Sequence, residues 1–124
     1  MIGIDIVYIP KFRKLLNSSY GQKVLTKIFA KEEILQNEIS IDSCQHQISQ
    51  KQACSLAGKF AAKEAIIKAS SGRLSLDDLC KIVLYISKSG EPMVEPFSFD
   101  NERMNIDISI SHDKDYAIAI AQRL

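Results

Sequence analysis

Paired cysteines are missing from this sequence. Cys44, Cys54 and Cys80 are odd in number and widely spaced, with no C-x-x-C pair. Neither a disulfide framework nor a zinc knuckle is expected, and each reads as a small thiol, buried or half-buried, in a reducing compartment. Long apolar runs are missing too, since no stretch approaches the roughly 18 residues that a bilayer-crossing helix needs. The start Met1-Ile2-Gly3-Ile4-Asp5 has no basic region followed by an apolar one, so a cytoplasmic location is expected. An excess of one charge is likewise absent. Lys and Arg number 16 against 15 Asp and Glu, a formal net charge of +1. Without a long run of either sign, neither a nucleic-acid-wrapping surface nor a polybasic membrane anchor is expected. No internal repeat or low-complexity block is visible.

What is there has the makeup of an ordinary globular domain. Of 124 residues, 46% are hydrophobic and 25% charged, consistent with one domain over 1–124 around one core. A chain of this size buries about two-thirds of its unfolded surface and can fold alone or with copies of itself.

Ile2 to Ile9 reads as a strand, with Ile2, Ile4 and Ile6 on one face and Gly3, Asp5 and Val7 on the other. Pro10 suits the first turn of a helix, and Lys11 to Leu16 forms a short amphipathic one. A helical stretch over Gln22 to Asn37 carries Val24, Leu25, Ile28, Phe29 and Ile34, with a break near Ala30. Ser40 to Gln52 reads as a polar loop, and Gln52 to Ser70 as the longest helix, stopped by Ser70-Ser71-Gly72. Strand patterns follow at Ile82 to Ile86, Asn105 to Ser111 and Tyr116 to Ala121, with a turn at Gly90-Glu91-Pro92. Ser111 to Asp115 is expected to connect the last two strands as a hairpin loop. The fold class is therefore α+β: an N-terminal strand, a helical middle with one long helix, and a C-terminal antiparallel sheet.

Glu64 breaks the pattern of the long helix. On a helical wheel Ala53, Leu56, Ala57, Phe60 and Ile67 form an inward stripe, and Glu64 falls within it. A buried carboxylate costs several kcal/mol unless a cation compensates it. Lys68, four residues on, offers a simple intrahelical pair. Asp5 is a second misplaced carboxylate, because aspartate is disfavoured inside strands, although it also suits a strand-end turn. Two such carboxylates from separate elements suit Mg²⁺ when phosphate oxygens and waters fill its remaining octahedral positions. Ser109-Ile110-Ser111-His112-Asp113 adds hydroxyls and an imidazole able to hold phosphate or nucleotide, while His112, like His46, is equally readable as an ordinary loop histidine.

Three segments in this order, Gly3-Ile4-Asp5-Ile6-Val7, Phe60-Ala61-Ala62-Lys63-Glu64-Ala65 with Lys68-Ala69, and Ser109-Ile110-Ser111-His112-Asp113 with Tyr116-Ala117, span nearly the whole chain. Together they resemble the holo-(acyl-carrier-protein) synthases, the small class of 4'-phosphopantetheinyl transferases. The resemblance implies transfer of the 4'-phosphopantetheine arm from coenzyme A to a serine of apo-acyl carrier protein, releasing 3',5'-ADP, in support of fatty acid biosynthesis. It matches Asp5 and Glu64 to two Mg²⁺-binding carboxylates and Lys68 to a lysine on the diphosphate. Ser111 and His112 match the segment contacting the nucleotide half of coenzyme A. Lys59 stands where the family usually has arginine beside the nucleotide phosphate, supplying a point charge in place of a planar fork. Ile4 and Tyr8 also depart from the family, which commonly has a small or hydroxyl residue and an acidic residue there. The resemblance further implies a homotrimer with active sites between neighbouring subunits.

Acyl carrier proteins are acidic, so Lys11, Arg13 and Lys14, within one turn of each other, are expected to dock the carrier by charge steering. Two rival readings stay open at this level. A coenzyme A-binding module would not need both carboxylates, and a noncatalytic interaction domain would use Glu64 and Lys68 as an interface pair.

Overall fold

A computed structural model of the chain describes residues 1–40 and 47–124. Cys44 and His46 lie outside the described residues. Strand β1 (Ile2–Tyr8) leads into α1 (Ile9–Leu16), α2 (Gly21–Ile28), α3 (Lys31–Gln36) and the long α4 (Gln50–Ala69). A 3-10 helix (Leu76–Lys81) follows, then β2 (Leu84–Ile86), β3 (Pro92–Val94), β4 (Phe97–Phe99), β5 (Glu102–Met104), β6 (Ile106–Asp113) and β7 (Tyr116–Arg123). The α+β class and the order of elements follow the sequence reading. Several boundaries move. The break expected near Ala30 is present, since Ala30 takes an extended φ/ψ and caps α3, while the first of the two helices starts a residue earlier, at Gly21. Helix α4 starts at Gln50, where Ser49 and Gln52 form a reciprocal capping box.

The N-terminal strand joins the C-terminal sheet. The order is β1-β7-β6, antiparallel throughout, with β7 in the centre. Strands β2 and β3 form one separate hairpin and β4 and β5 another. The second was unforeseen in the sequence, although Asp100 and Asn101 both adopt positive φ, as a two-residue hairpin turn requires.

One face of the three-stranded sheet lies on α4. Strand alternation points Gly3, Asp5 and Val7 of β1 and Ala117, Ala119 and Ala121 of β7 toward the helix. Those alanines are buried, and α4 meets them with Ala57, Ala61, Ala62 and Ala65, so helix and sheet approach closely. Gly3 marks the tightest point: a Cβ there would come within 2.0 Å of the Ala65 carbonyl oxygen. The larger side chains Ile2, Ile4, Ile6, Tyr8, Ile118 and Ile120 point outward and are 39–60% exposed. The opposite side of α4 packs on α1 and the 3-10 helix, so α4 is covered from two directions and its burial is not confined to one stripe.

Candidate active site

Asp5 stands on the helix-facing side of β1, two residues from the Gly3 contact. Its Oδ1 accepts a hydrogen bond from Lys68 Nζ at 2.9 Å, and the same ammonium donates to the Ile4 carbonyl at 2.9 Å. Lys68 therefore turns to β1, and the intrahelical Glu64–Lys68 pair read from the sequence is not formed among the described residues. Glu64 lies close enough to Asp5 for the two carboxylates to repel. Burial, then the Asp5 charge, push the Glu64 carboxyl above its ordinary range, and Lys68 opposes them only in part. Asp5, Glu64 and Lys68 thus gather at one edge of the β1–α4 contact. The expected position of Glu64 in the middle of a buried stripe is corrected, because Glu64 sits half-buried at the rim of the core.

Two carboxylates against one ammonium leave surplus negative charge in a partly desolvated place. Oxygen donors with that surplus suit a hard divalent cation such as Mg²⁺. Among the described residues no group of three or more His, Cys, Asp or Glu side chains forms, so a cation here would have these two protein carboxylates and draw its other ligands from substrate and water.

The nucleotide-contact candidates lie elsewhere. Ser111 and His112 are paired residues of β6, opposite Ile118 and Ala117, and the turn shrinks to Lys114-Asp115, with Lys114 at positive φ. The expected loop of five residues is thereby corrected, and strand alternation sends the two side chains to opposite faces. His112 points toward α4, where its Nε2 lies 3.0 Å from the Cys54 carbonyl and its ring fills the space beside Gly58. Ser111 shares the outer face with Ile118. The carboxylate cluster is on the β1 edge of the sheet and His112 on the β6 edge. Positions 58 and 64 are also about 9 Å apart along the α4 axis.

Lys59 is only 6% exposed, and its Nζ makes a 3.5 Å contact with Gln36 Oε1. Burial lowers its pKa, opposed by the Glu33 charge. The structure does not bring it to the Asp5–Glu64 edge. On α1, Arg13 is held by hydrogen bonds from Nε to the Ile48 carbonyl at 3.0 Å and from Nη1 to Gln50 Oε1 at 3.2 Å. Of the three cations expected to dock the carrier, Lys11 and Lys14 are exposed, while Arg13 is half-buried and fastens α1 to the start of α4. A shallow groove of about 540 Å³ beside them is lined by Pro10, Arg13, Lys14, Asn17, Ser18 and Gln50.

Sequence reasoning missed one buried pair. Lys63 and Glu33 are fully buried, with Lys63 Nζ 2.5 Å from Glu33 Oε1. Burial pulls the lysine's pKa down and Glu33 opposes it. The available signal was the spacing of Lys59 and Lys63 by four in an otherwise apolar run.

Known proteins are similar to this chain in fold and in sequence. A family model described as the 4'-phosphopantetheinyl transferase superfamily matches residues 1–121. The holo-[acyl-carrier-protein] synthase of Wolbachia pipientis subsp. Culex pipiens is 37% identical over 120 residues, covering 95% of this chain and 91% of the relative. That of Ehrlichia ruminantium is 37% identical over 123 residues, covering 95% and 90%. The crystal structure of the Helicobacter pylori holo-[acyl-carrier-protein] synthase in complex with coenzyme A superposes with a TM-score of 0.74 at 28% identity, covering 100% of both chains. The Bacillus anthracis enzyme, with coenzyme A (3',5'-ADP), gives 0.76 at 25% identity, covering 98% and 93%. With a family match over 1–121 and full-length relatives above one-third identity, the chain belongs to the 4'-phosphopantetheinyl transferase superfamily.

Proposed function

We infer that this chain, as a single domain over 1–124, transfers 4'-phosphopantetheine from coenzyme A to a serine of apo-acyl carrier protein, releasing 3',5'-ADP. The named relatives and the coenzyme A complexes support the activity and the donor. The observation that carries the site assignment is the meeting of Asp5, Glu64 and Lys68 at one edge of the β1–α4 contact. Asp5 and Glu64 are the residues that would hold Mg²⁺. That ion would polarise the diphosphate and offset the charge on the leaving nucleotide.

The remaining roles fall to the chain's own groups. The side chain of Lys68 is 52% exposed, so its ammonium can meet diphosphate oxygens and oppose the charge that gathers on the leaving oxygen. As the serine oxygen bonds to the β-phosphorus and the bond to 3',5'-ADP breaks, the hydroxyl proton passes to a Glu64 carboxylate oxygen or to solvent. His112 and Ser111 contact the nucleotide half, and Lys59 its phosphate. Lys11 and Lys14 steer the acidic carrier, with Arg13 bracing the helix that carries them.

Self-association, as a homotrimer, completes this reading. Ile2, Ile4, Ile6, Ile118 and Ile120 make a contiguous exposed apolar face on the outer side of the sheet, the kind of surface that marks a protein contact. His112 and the carboxylates stand at opposite sheet edges, which supports a site built from one protomer's carboxylates and a neighbour's nucleotide contacts. No helix of the described residues is long and apolar enough to cross a membrane. We place the reaction in the cytoplasm, serving fatty acid biosynthesis. Incubation with apo-carrier, coenzyme A and Mg²⁺ tests the whole: mass spectrometry should show the added arm, and EDTA should abolish it. An unmodified carrier, or modification indifferent to EDTA, would contradict the activity or the metal, respectively.

A further inference from the structure

Lys63 immediately precedes Glu64, and with Glu33 it forms a pair that is 0% exposed. Its Nζ donates to Glu33 Oε1 at 2.5 Å, to the Ile28 carbonyl at 2.8 Å and to the Leu79 carbonyl at 3.0 Å, and lies 5.1 Å from the centroid of the Phe29 ring. Glu33 is as fully engaged: Oε1 accepts from the Ala30 N–H at 2.9 Å and Oε2 from the Leu84 N–H at 3.2 Å. The pair fastens α4 to the end of α2, the start of α3, the 3-10 helix and β2.

Buried ion pairs are poor sources of stability, because apolar residues of like volume often serve as well, whereas selecting one arrangement among several is their best-attested use. Here a second restraint acts from another side. Residue 65 is pressed against β1, where the Ala65 carbonyl leaves no room for a Cβ on Gly3. The two neighbours of Glu64 are therefore fixed by different layers of the fold.

We propose that Lys63 and Glu33 are positioning residues for Glu64: they set the rotation of α4 about its own axis and so hold the Glu64 carboxylate against Asp5. A roll of about 20° moves a group at the ~5 Å side-chain radius by roughly 2 Å. Misplacement by about 1 Å can cost up to ~10²-fold in rate. The inference rests on Asp5 and Glu64 acting together on one cation, and its test separates the two.

Three proteins are compared: the wild type, Glu33→Gln, and the double variant Glu33→Gln/Lys63→Met, which removes both charges while keeping the buried volume. Well below the melting temperature, kcat should fall tenfold or more in both variants while KM for coenzyme A and carrier stays within about twofold. Mn²⁺ alone, measured by electron paramagnetic resonance, should bind at least fivefold more weakly to each variant. A double variant with wild-type kcat and wild-type Mn²⁺ affinity, changed only in melting temperature, overturns the proposal. So does a double variant that fails to fold, since the pair would then be a folding requirement. If Glu33→Gln alone fails to fold, the double variant carries the test. Equal Mn²⁺ affinity in wild type and Glu64→Gln would instead refute the two-carboxylate reading.

Discussion

Glu64 is a carboxylate kept where its charge is unwelcome, with burial and Asp5 both favouring its protonated form. Its pKa is higher folded than unfolded, so in the metal-free protein the folded state holds more protons once pH passes the ordinary carboxylate range. Stability then falls as pH rises through the interval between the unfolded and folded values. Glu64→Gln should therefore melt higher than the wild type at neutral pH without metal, by roughly 1–3 °C given the partial exposure, and the difference should close in acid below that interval. Calorimetry from acid to neutral pH checks this, and a lower neutral melting temperature for the variant would contradict it. The same substitution should cut kcat by 10²-fold or more, since it removes a proposed cation ligand. An anomalous carboxylate was legible in the sequence because it interrupted an apolar helix. The pairing of Lys68 with Asp5 was not, because whether Lys68 turns along the helix or across to β1 depends on where β1 lies.

The β1–α4 contact sets the geometry at the next scale. Replacing Gly3 with Ala should force the strand from the helix, cost about 1–3 kcal/mol, and lower kcat more than KM by parting Asp5 from Glu64. Denaturant unfolding and steady-state kinetics together measure both effects. Arg13→Ala should cost about 1 kcal/mol through lost hydrogen bonds to Ile48 and Gln50, whereas Lys11→Glu/Lys14→Glu should raise KM for the carrier several-fold with stability unchanged. Equal carrier KM in that double variant would contradict the docking role. The elements themselves were largely legible. The isoleucine–alanine alternation of β7 announced a strand with two unlike faces, and the content of α4 announced a helix. Which face was buried was not legible, because the alanines win the core only when an equally alanine-rich helix lies against them. Lys63 stayed hidden for a similar reason, since its counter-charge comes from Glu33, thirty residues away in sequence.

At the scale of the molecule, the unresolved tension in a lone protomer is its outer sheet face of isoleucines. Ile4→Lys/Ile118→Lys should leave the helix-facing core intact, shift sedimentation from an assembled species to the monomer, and abolish transfer, because it would separate the carboxylates from the nucleotide contacts proposed to come from a neighbour. A wild-type protein that sediments as an active monomer would contradict the shared site. The proposed catalytic roles rest on Asp5 and Glu64 holding the same ion. The most direct measurement is a crystal grown with Mn²⁺ and coenzyme A, in which the metal is located by its anomalous scattering. One peak bonded to oxygens of both Asp5 and Glu64 and to the diphosphate is the predicted result. A metal bound to only one of them, or sited away from the β1–α4 edge while coenzyme A is bound, would contradict it.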